Sequence, residues 1–169
     1  YMIRFHLITL FPEACEAYLS ASILGRARAA KKMSVAYESP RTYVTNRWGK
    51  VDERPYGGGP GMVMMAEPVI AAVESITKKL LKKKSPKIKI INFVPSAKKF
   101  DTTYAKNAVK KYTDIILICG RYEGIDERAL KILKTLAPVK SFAVGEAVLT
   151  GGEVPAMAIV DAVARRLPG

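Results

Sequence analysis

The chain has 169 residues and a mass of 18.5 kDa, enough to bury roughly 70% of the surface its unfolded form exposes and so to build its own core. With 49% hydrophobic and 25% charged residues it reads as a soluble globular domain and not as a disordered tail. Twenty-eight Lys and Arg against 15 Asp and Glu leave +13, which directs attention to an anionic partner such as nucleic acid or an anionic membrane surface, although solvated surface also carries such a balance.

The run Ile3 to Phe11 reads as a strand. His6, the single histidine of the chain, falls inside it and reads as a strand histidine satisfied by its neighbours. Any Ser-His-Asp chemistry would have to use it, which argues against a hydrolase triad. Cys15 and Cys119 are too few for a disulfide framework, and with one histidine no Cys/His cluster can hold zinc, so no metal is expected on this ground. The longest apolar stretches, such as Ile115 to Cys119, are far short of a membrane span, and no leader precedes a small-residue cleavage site. A cytoplasmic protein with no membrane partner is expected.

Ser34 to Glu38 reads as the next strand. From Pro40 to Ala66 there is no clear periodicity, and loops of that length inside compact domains are functional or disordered. This stretch contains Arg54-Pro55-Tyr56-Gly57-Gly58-Gly59-Pro60-Gly61-Met62. Its cations Arg41, Arg47, Lys50 and Arg54 surround Trp48, a mixture that suits unpaired RNA, where bases stack on rings and guanidinium planes. Trp48 could equally anchor the loop or bury itself at a subunit interface.

A helix beginning near Glu67 and Pro68 carries Val69, Ile70, Val73, Ile76 and Leu80 at spacings of three and four, with lysines at the end where cations complement the dipole. Seven lysines fall between Lys78 and Lys89, and no acid occurs between Glu74 and Asp101. They read either as a solvated helix end or as a phosphate-tracking patch. Strands from Lys87 to Val94 and from Asp114 to Cys119 follow. A helix is expected from about Asp126 to Leu136 with Ala129, Leu130, Ile132 and Leu133 inward, then a strand from Val139 to Val144 and a last helix from Pro155 through Arg166. The alternation predicts an α/β fold, a mainly parallel sheet with helices on both faces. With no internal repeat or linker, residues 1–169 read as one domain.

In parallel sheets ligands lie beyond the carboxyl ends of strands. The loop from Gly120 to Arg128, the loop after Val94 and the glycine-bracketed loop Gly145 to Pro155 would share that edge and converge on one pocket. Asp126 can cap a helix, with Glu127 in its first turn and Arg128 solvated, which leaves Arg121, Tyr122 and Glu123 unexplained. The glycines let backbone approach a flat or anionic ligand. Neither phosphate fingerprint is present: Val44 and Val51 stand where a Walker loop needs Gly and Ser or Thr, and Gly57 to Gly61 lacks the third Rossmann glycine.

Four segments, in order and spacing, resemble the bacterial tRNA (guanine-N1)-methyltransferases of the SPOUT superfamily. They are Ile8-Thr9-Leu10-Phe11-Pro12-Glu13, Val51 to Met62, Cys119 to Arg128, and Leu149 to Met157 with Arg165 and Leu167-Pro168-Gly169 after it. The resemblance covers essentially the whole chain from Met2. It implies a deep trefoil knot in the C-terminal third, an exception to the rule against knots, and a homodimer with its active site at the subunit interface. It implies S-adenosylmethionine bound in the knot crevice by Phe93, Val94 and Pro95, by Gly120 and Glu123, and by Val144, Gly145, Ala147, Leu149, Gly151, Gly152 and Pro155. The substrate would be tRNA, methylated at N1 of the guanine immediately 3′ of the anticodon, with Arg54, Gly59, Arg121 and Tyr122 on the substrate side.

The sulfonium of that cofactor is an activated electrophile, so the protein must align the acceptor, remove the N1 proton and stabilise charge developing on O6. The resemblance offers Arg165 as the cation near O6 and Glu123 to orient the substrate or a magnesium ion. The family's general base is an aspartate after the Leu-Pro-Gly segment, in a linker to a helical domain that helps hold the tRNA. This chain stops at Gly169, so no position inherits that role, the helical domain is absent from it, and little or no turnover is expected. Glu146 and Ala147 stand where Asp and Tyr are commoner, and Val94-Pro95-Ser96-Ala97 replaces a typical Ser-Pro-Gln-Gly. The alternative function is a non-catalytic RNA-binding module.

Overall fold

A computed structural model of the chain describes every residue except Tyr1, Tyr56, Tyr122 and Glu123. Strand β1 (Ile3–Ile8) leads through helices α1 (Pro12–Leu19) and α2 (Ser22–Ala29) to β2 (Met33–Glu38). A 3-10 turn over Pro40–Tyr43 and a small antiparallel pair, β3 (Asp52–Glu53) with β4 (Val63–Met64), precede α3 (Ala66–Leu80). Then β5 (Ile88–Phe93), α4 (Thr102–Lys111), β6 (Asp114–Ile118), α5 (Glu127–Leu136), β7 (Val139–Phe142) and α6 (Glu153–Ala164) alternate to the end.

The five longer strands form one wholly parallel sheet in the order β2-β1-β6-β5-β7. Every residue of the central strand β6 is buried, as expected for a strand covered on both faces. The strand period of two sorts its neighbours. Ile3, Phe5, Leu7, Ile115, Leu117 and Cys119 face a core with α1, α2, α4 and α6, whereas Ile90, Ile116 and Ile118 face α3 and α5. Each buried Ile or Leu contributes roughly 1.5–3 kcal/mol, so the two layers hold the sheet rigid under its loops. No helix among the described residues is long and apolar enough to cross a membrane.

Several boundaries depart from expectation. β1 stops at Ile8 and not at Phe11, because the Thr9 hydroxyl accepts the Phe11 N–H at 3.0 Å and Pro12 opens α1. α6 begins at Glu153, and Pro155 sits in its first turn, where the missing N–H leaves no intrahelical bond unmade. Ile132, expected to face inward, is 45% exposed, because α5 turns Ala129 and Leu133 to the sheet. Arg128 is not simply solvated: it folds back onto Asp126, the capping residue of α5, and lies 3.8 Å from Glu53. Lys89 leaves the solvated lysine group altogether. It is buried on β5, its ammonium 6.0 Å from the Tyr112 ring centroid. Burial, and then the charge of Lys140, pull its pKa down.

His6 is the satisfied strand residue its position suggests, with Nε2 3.0 Å from the carboxylate of the fully buried Asp114. Arg4 donates to both oxygens of the same group at 2.7 and 2.6 Å, and the Thr113 hydroxyl adds a fourth contact at 2.7 Å. Burial alone would raise the Asp114 carboxyl. Hydrogen bonds from His6, Arg4 and Thr113 outweigh it and hold the group well below the usual carboxylate range.

Candidate active site

The carboxyl ends of β5, β6 and β7 open into one cleft of about 260 Å³. Phe93, Val94 and Pro95 come from the end of β5, and Gly120, Arg121, Gly124 and Ile125 from the loop after β6. The remaining wall runs from Phe142 through Val144, Gly145, Ala147, Val148 and Leu149 to Gly151, Gly152 and Pro155 at the start of α6. The described residues expected around a cofactor thus meet at one place. Glu123 and Tyr122 lie outside the described residues. Gly124, Ile125 and Val148 also line the cleft; they fall inside the two loops expected to converge there but were not named as individual contacts. A lone apolar residue among the charged and polar ones of the loop between β6 and α5 is the faint signal that could have found Ile125.

The cleft floor is held by main-chain bonds between segments far apart in sequence. Ala143 donates to the Lys98 carbonyl at 3.0 Å and accepts from the Phe100 N–H at 2.7 Å, so the loop after β5 wraps the end of β7. Gly152 N–H donates to the Gly120 carbonyl at 2.8 Å. A Cβ at Gly152 would stand 2.7 Å from Cys119 Cα, so only glycine allows the start of α6 to press on the end of β6. From Gly145 to Thr150, by contrast, no main-chain N–H donates to another main-chain group among the described residues. Gly145, Ala147, Val148 and Leu149 of this run line the cleft.

Beneath the floor lies a polar knot of side chains. Glu153 is 3% exposed, accepts from the Thr9 hydroxyl at 2.8 Å and places its other oxygen 2.9 Å from Arg121 Nε. Arg121 also lays its guanidinium 4.6 Å from the Phe11 ring centroid and reaches the Thr150 carbonyl at 3.5 Å. The ends of β1 and β6, the glycine loop and α6 are therefore tied through one carboxylate. Sequence reading missed Glu153 as an organiser. Its signal is an acid in the first turn of a helix whose other residues are nearly all apolar.

The remaining candidates lie apart. Arg54 and Gly59 are exposed in the loop between β3 and β4, outside the cleft wall. The base of that loop is nonetheless attached to the site, since Met64 N–H donates to the Gly124 carbonyl at 2.9 Å and Asp126 N–H to the Met64 carbonyl at 3.2 Å. Trp48 is 81% exposed, with the Arg47 guanidinium 5.4 Å from its ring centroid. Arg165 is exposed at the far end of α6, about 15 Å along the helix axis from Pro155 at 1.5 Å per residue. It does not face the cleft of its own chain. Among the described residues no cluster of three or more His, Cys, Asp or Glu could hold a metal ion.

Comparison with known proteins gives this arrangement its context. A family model described as tRNA (Guanine-1)-methyltransferase TrmD matches residues 3–169. A protein of Nostoc punctiforme named tRNA (guanine-N(1)-)-methyltransferase is 38% identical over 166 residues, covering 98% of this chain and 65% of the relative. One of the same name from Alkaliphilus oremlandii is 41% identical over 164 residues, 96% of this chain and 64% of the relative. The chain therefore spans a little under two thirds of the length of these curated relatives. The crystal structure of a tRNA (m1G37) methyltransferase from Aquifex aeolicus superposes with a TM-score of 0.83 at 35% identity, over 100% of this chain and 72% of that one. The family-model match over residues 3–169, the identities along nearly the whole chain and the superposition agree, and on these grounds the chain belongs to the tRNA (guanine-1)-methyltransferase family.

Proposed function

We propose that the cleft binds S-adenosylmethionine and that these residues form the methyl-transfer part of an enzyme acting on tRNA, at N1 of the guanine immediately 3′ of the anticodon. The observation that carries the reading is the run Gly145 to Thr150, which supplies part of the wall of a mainly apolar cleft and whose main-chain N–H groups donate to no main-chain acceptor among the described residues. Phe93, Ile125 and Leu149 offer apolar walls to a purine, and peptide groups at glycine positions can meet its polar edge closely. Ala147 brings no aromatic to that wall, which loosens side-chain packing but leaves main-chain contacts intact. The bound cofactor supplies a methyl group already activated on sulfur.

The chain's own residues then have to align guanine N1 and stabilise charge on O6. The flat guanidinium of Arg165 suits O6 and N7 better than a lysine would. Because Arg165 stands at the far end of α6 from its own cleft, this reading requires a homodimer in which each cleft is completed by a second copy. Phe11 just before α1, Tyr18 on α1 and Val154 on α6 are 38%, 49% and 56% exposed and support such a contact. Glu123 is assigned the orientation of the substrate or of a magnesium ion, and Arg54, Gly59, Arg121 and Tyr122 the approach of the tRNA. Passage of the C-terminal segment through the loop after β5, as a trefoil knot, is supported by the clasp of Lys98 and Phe100 around Ala143. A cytoplasmic setting follows from a tRNA substrate. The base that takes the N1 proton, an aspartate after Leu-Pro-Gly in the family, has no counterpart up to Gly169, so these 169 residues tested alone are expected to bind cofactor with little turnover.

Titration calorimetry with S-adenosylmethionine tests the reading. The chain should bind it, and Leu149→Asp should abolish the heat while leaving the circular dichroism spectrum unchanged. No binding by the unaltered chain at millimolar cofactor would sink the proposal and favour a non-catalytic RNA-binding module.

A further inference from the structure

The sheet topology sorts the charges of this chain between two edges. Each helix that leads into a parallel strand runs back against the strands, so α3, α4 and α5 start at the cleft edge and finish at the amino edge of the sheet. Acids mark the starts: Glu67 and Glu127 lie in the first turns of α3 and α5, and Asp101 caps α4. Lysines mark the ends. Lys78 and Lys79 occupy the last turn of α3, Lys110 and Lys111 that of α4, and Lys134 that of α5.

A preference of cations for helix carboxyl ends accounts for those five. It does not account for Lys82, Lys83, Lys84 and Lys87, which lie beyond α3 in the turn to β5 and are all exposed. Lys87 is fixed next to the end of α4, its N–H donating to the Thr113 hydroxyl at 2.9 Å and its carbonyl accepting the Thr113 N–H at 2.9 Å. Lys87 therefore adjoins the carboxyl end of α4, although α3 and α4 cover opposite faces of the sheet. Of the exposed lysines on this edge only Lys78 has a carboxylate within 4 Å among the described residues, Glu74 at 3.8 Å. Asp114, at the start of β6 on this edge, is buried and already held by Arg4.

We infer that the amino edge of the sheet, centred on Lys79 and Lys82 to Lys84, is a second contact surface for the phosphate backbone of RNA, at the end of the protomer opposite the cleft. Uncompensated exposed lysines from separate elements are point charges suited to phosphates and carry no base readout. An anionic membrane fits less well, since Leu81 is the sole large apolar side chain exposed among them and gives little to insert. The inference rests on the proposed function only in taking tRNA as the polyanion.

The test compares the chain with a variant carrying Lys79→Gln, Lys82→Gln, Lys83→Gln and Lys84→Gln, measuring affinity for a tRNA transcript over a range of salt. The variant should bind on the order of tenfold more weakly near 0.15 M salt, with a log–log salt slope shallower by roughly 0.7 to 0.9 per lost contact. Its melting temperature should be unchanged. Equal affinity and slope for the two proteins overturns the inference, as does failure of the unaltered chain to bind tRNA. Lysine-dependent binding to phosphatidylserine vesicles in preference to tRNA also overturns it. The two readings fail separately: loss of S-adenosylmethionine binding with lysine-dependent tRNA binding intact removes the methyl-transfer reading alone. Cofactor binding with lysine-independent tRNA binding removes this surface alone.

Discussion

Glu153 Oε2 lies 2.9 Å from Arg121 Nε beneath the cleft floor, in a position that leaves the carboxylate 3% exposed. Removing Arg121 strands the buried Glu153 carboxylate, and losses of that kind cost about 3–5 kcal/mol, whereas removing Glu153 leaves a guanidinium that is 26% exposed and can meet water. Glu153→Ala is therefore expected to lower unfolding stability by about 2 kcal/mol, and Glu153→Gln by less, because an amide oxygen still accepts from Thr9. Urea denaturation of the two single variants and of Glu153→Ala with Arg121→Ala should give a double-variant loss smaller than the sum. Strict additivity would mean that the pair is not coupled.

Glycines of the cleft divide by what stands next to them. A Cβ at Gly152 meets Cys119 Cα at 2.7 Å, which is backbone of the central strand edge, whereas a Cβ at Gly145 meets nothing within 4 Å. Overpacking against backbone costs about 1–3 kcal/mol. Gly152→Ala should lower the melting temperature by several degrees and Gly145→Ala should leave it within about a degree, a contrast that thermal denaturation reads directly. Equal effects would remove the argument that close approach fixes glycine at Gly152.

The sequence carried the sheet well and its polar organisers poorly, for a physical reason. A parallel central strand such as Asp114 to Ile118 is apolar at every position after its first, and α3 shows its inward residues at helical spacing, so both are visible without tertiary information. The eight-residue helices α1 and α2 have no such stripe, and nothing local announces where each begins. Convergence of the three strand-end loops follows from strands being parallel, and so the cleft could be expected. The Glu153, Arg121 and Thr9 cluster could not, because its members belong to separate segments that meet only when α6 docks against the ends of β1 and β6. Arg165 shows the opposite limit: a motif resemblance singled it out, but it stands at the far end of α6 from the cleft.

Burial makes both cysteines inert in the native chain. It pushes the Cys15 thiol up to about 11, with the Glu153 charge adding to the effect, and raises Cys119 well above the usual thiol value. Thiolate is the reacting species. A soluble disulfide reagent at pH 8 should therefore label neither cysteine within minutes, and both promptly in denaturant. Fast native labelling of Cys119 would show that the junction of β6 and the glycine loop opens more readily than its packing implies.

Asp114 governs the acid limb of stability. Its folded pKa lies below its unfolded value, so the stabilisation it supplies is fully present above the unfolded pKa of about 3.9. It is lost as pH falls from there toward the folded value, because the unfolded chain takes up the proton first. Protonation weakens the bonds from His6, Arg4 and Thr113 and leaves the Arg4 guanidinium without its counter-charge. Asp114→Asn removes that titration and the ion pair together. At pH 7 it should be less stable than the unaltered chain by about 2 kcal/mol, below the usual cost of breaking a fully buried pair because Arg4 is partly exposed. The gap should narrow steadily below pH 4, since the unaltered chain is then losing what the variant never had. Urea unfolding at several pH values between 7 and 2.5 measures the gap, and a constant difference across that range would show that Asp114 does not hold its charge against acid.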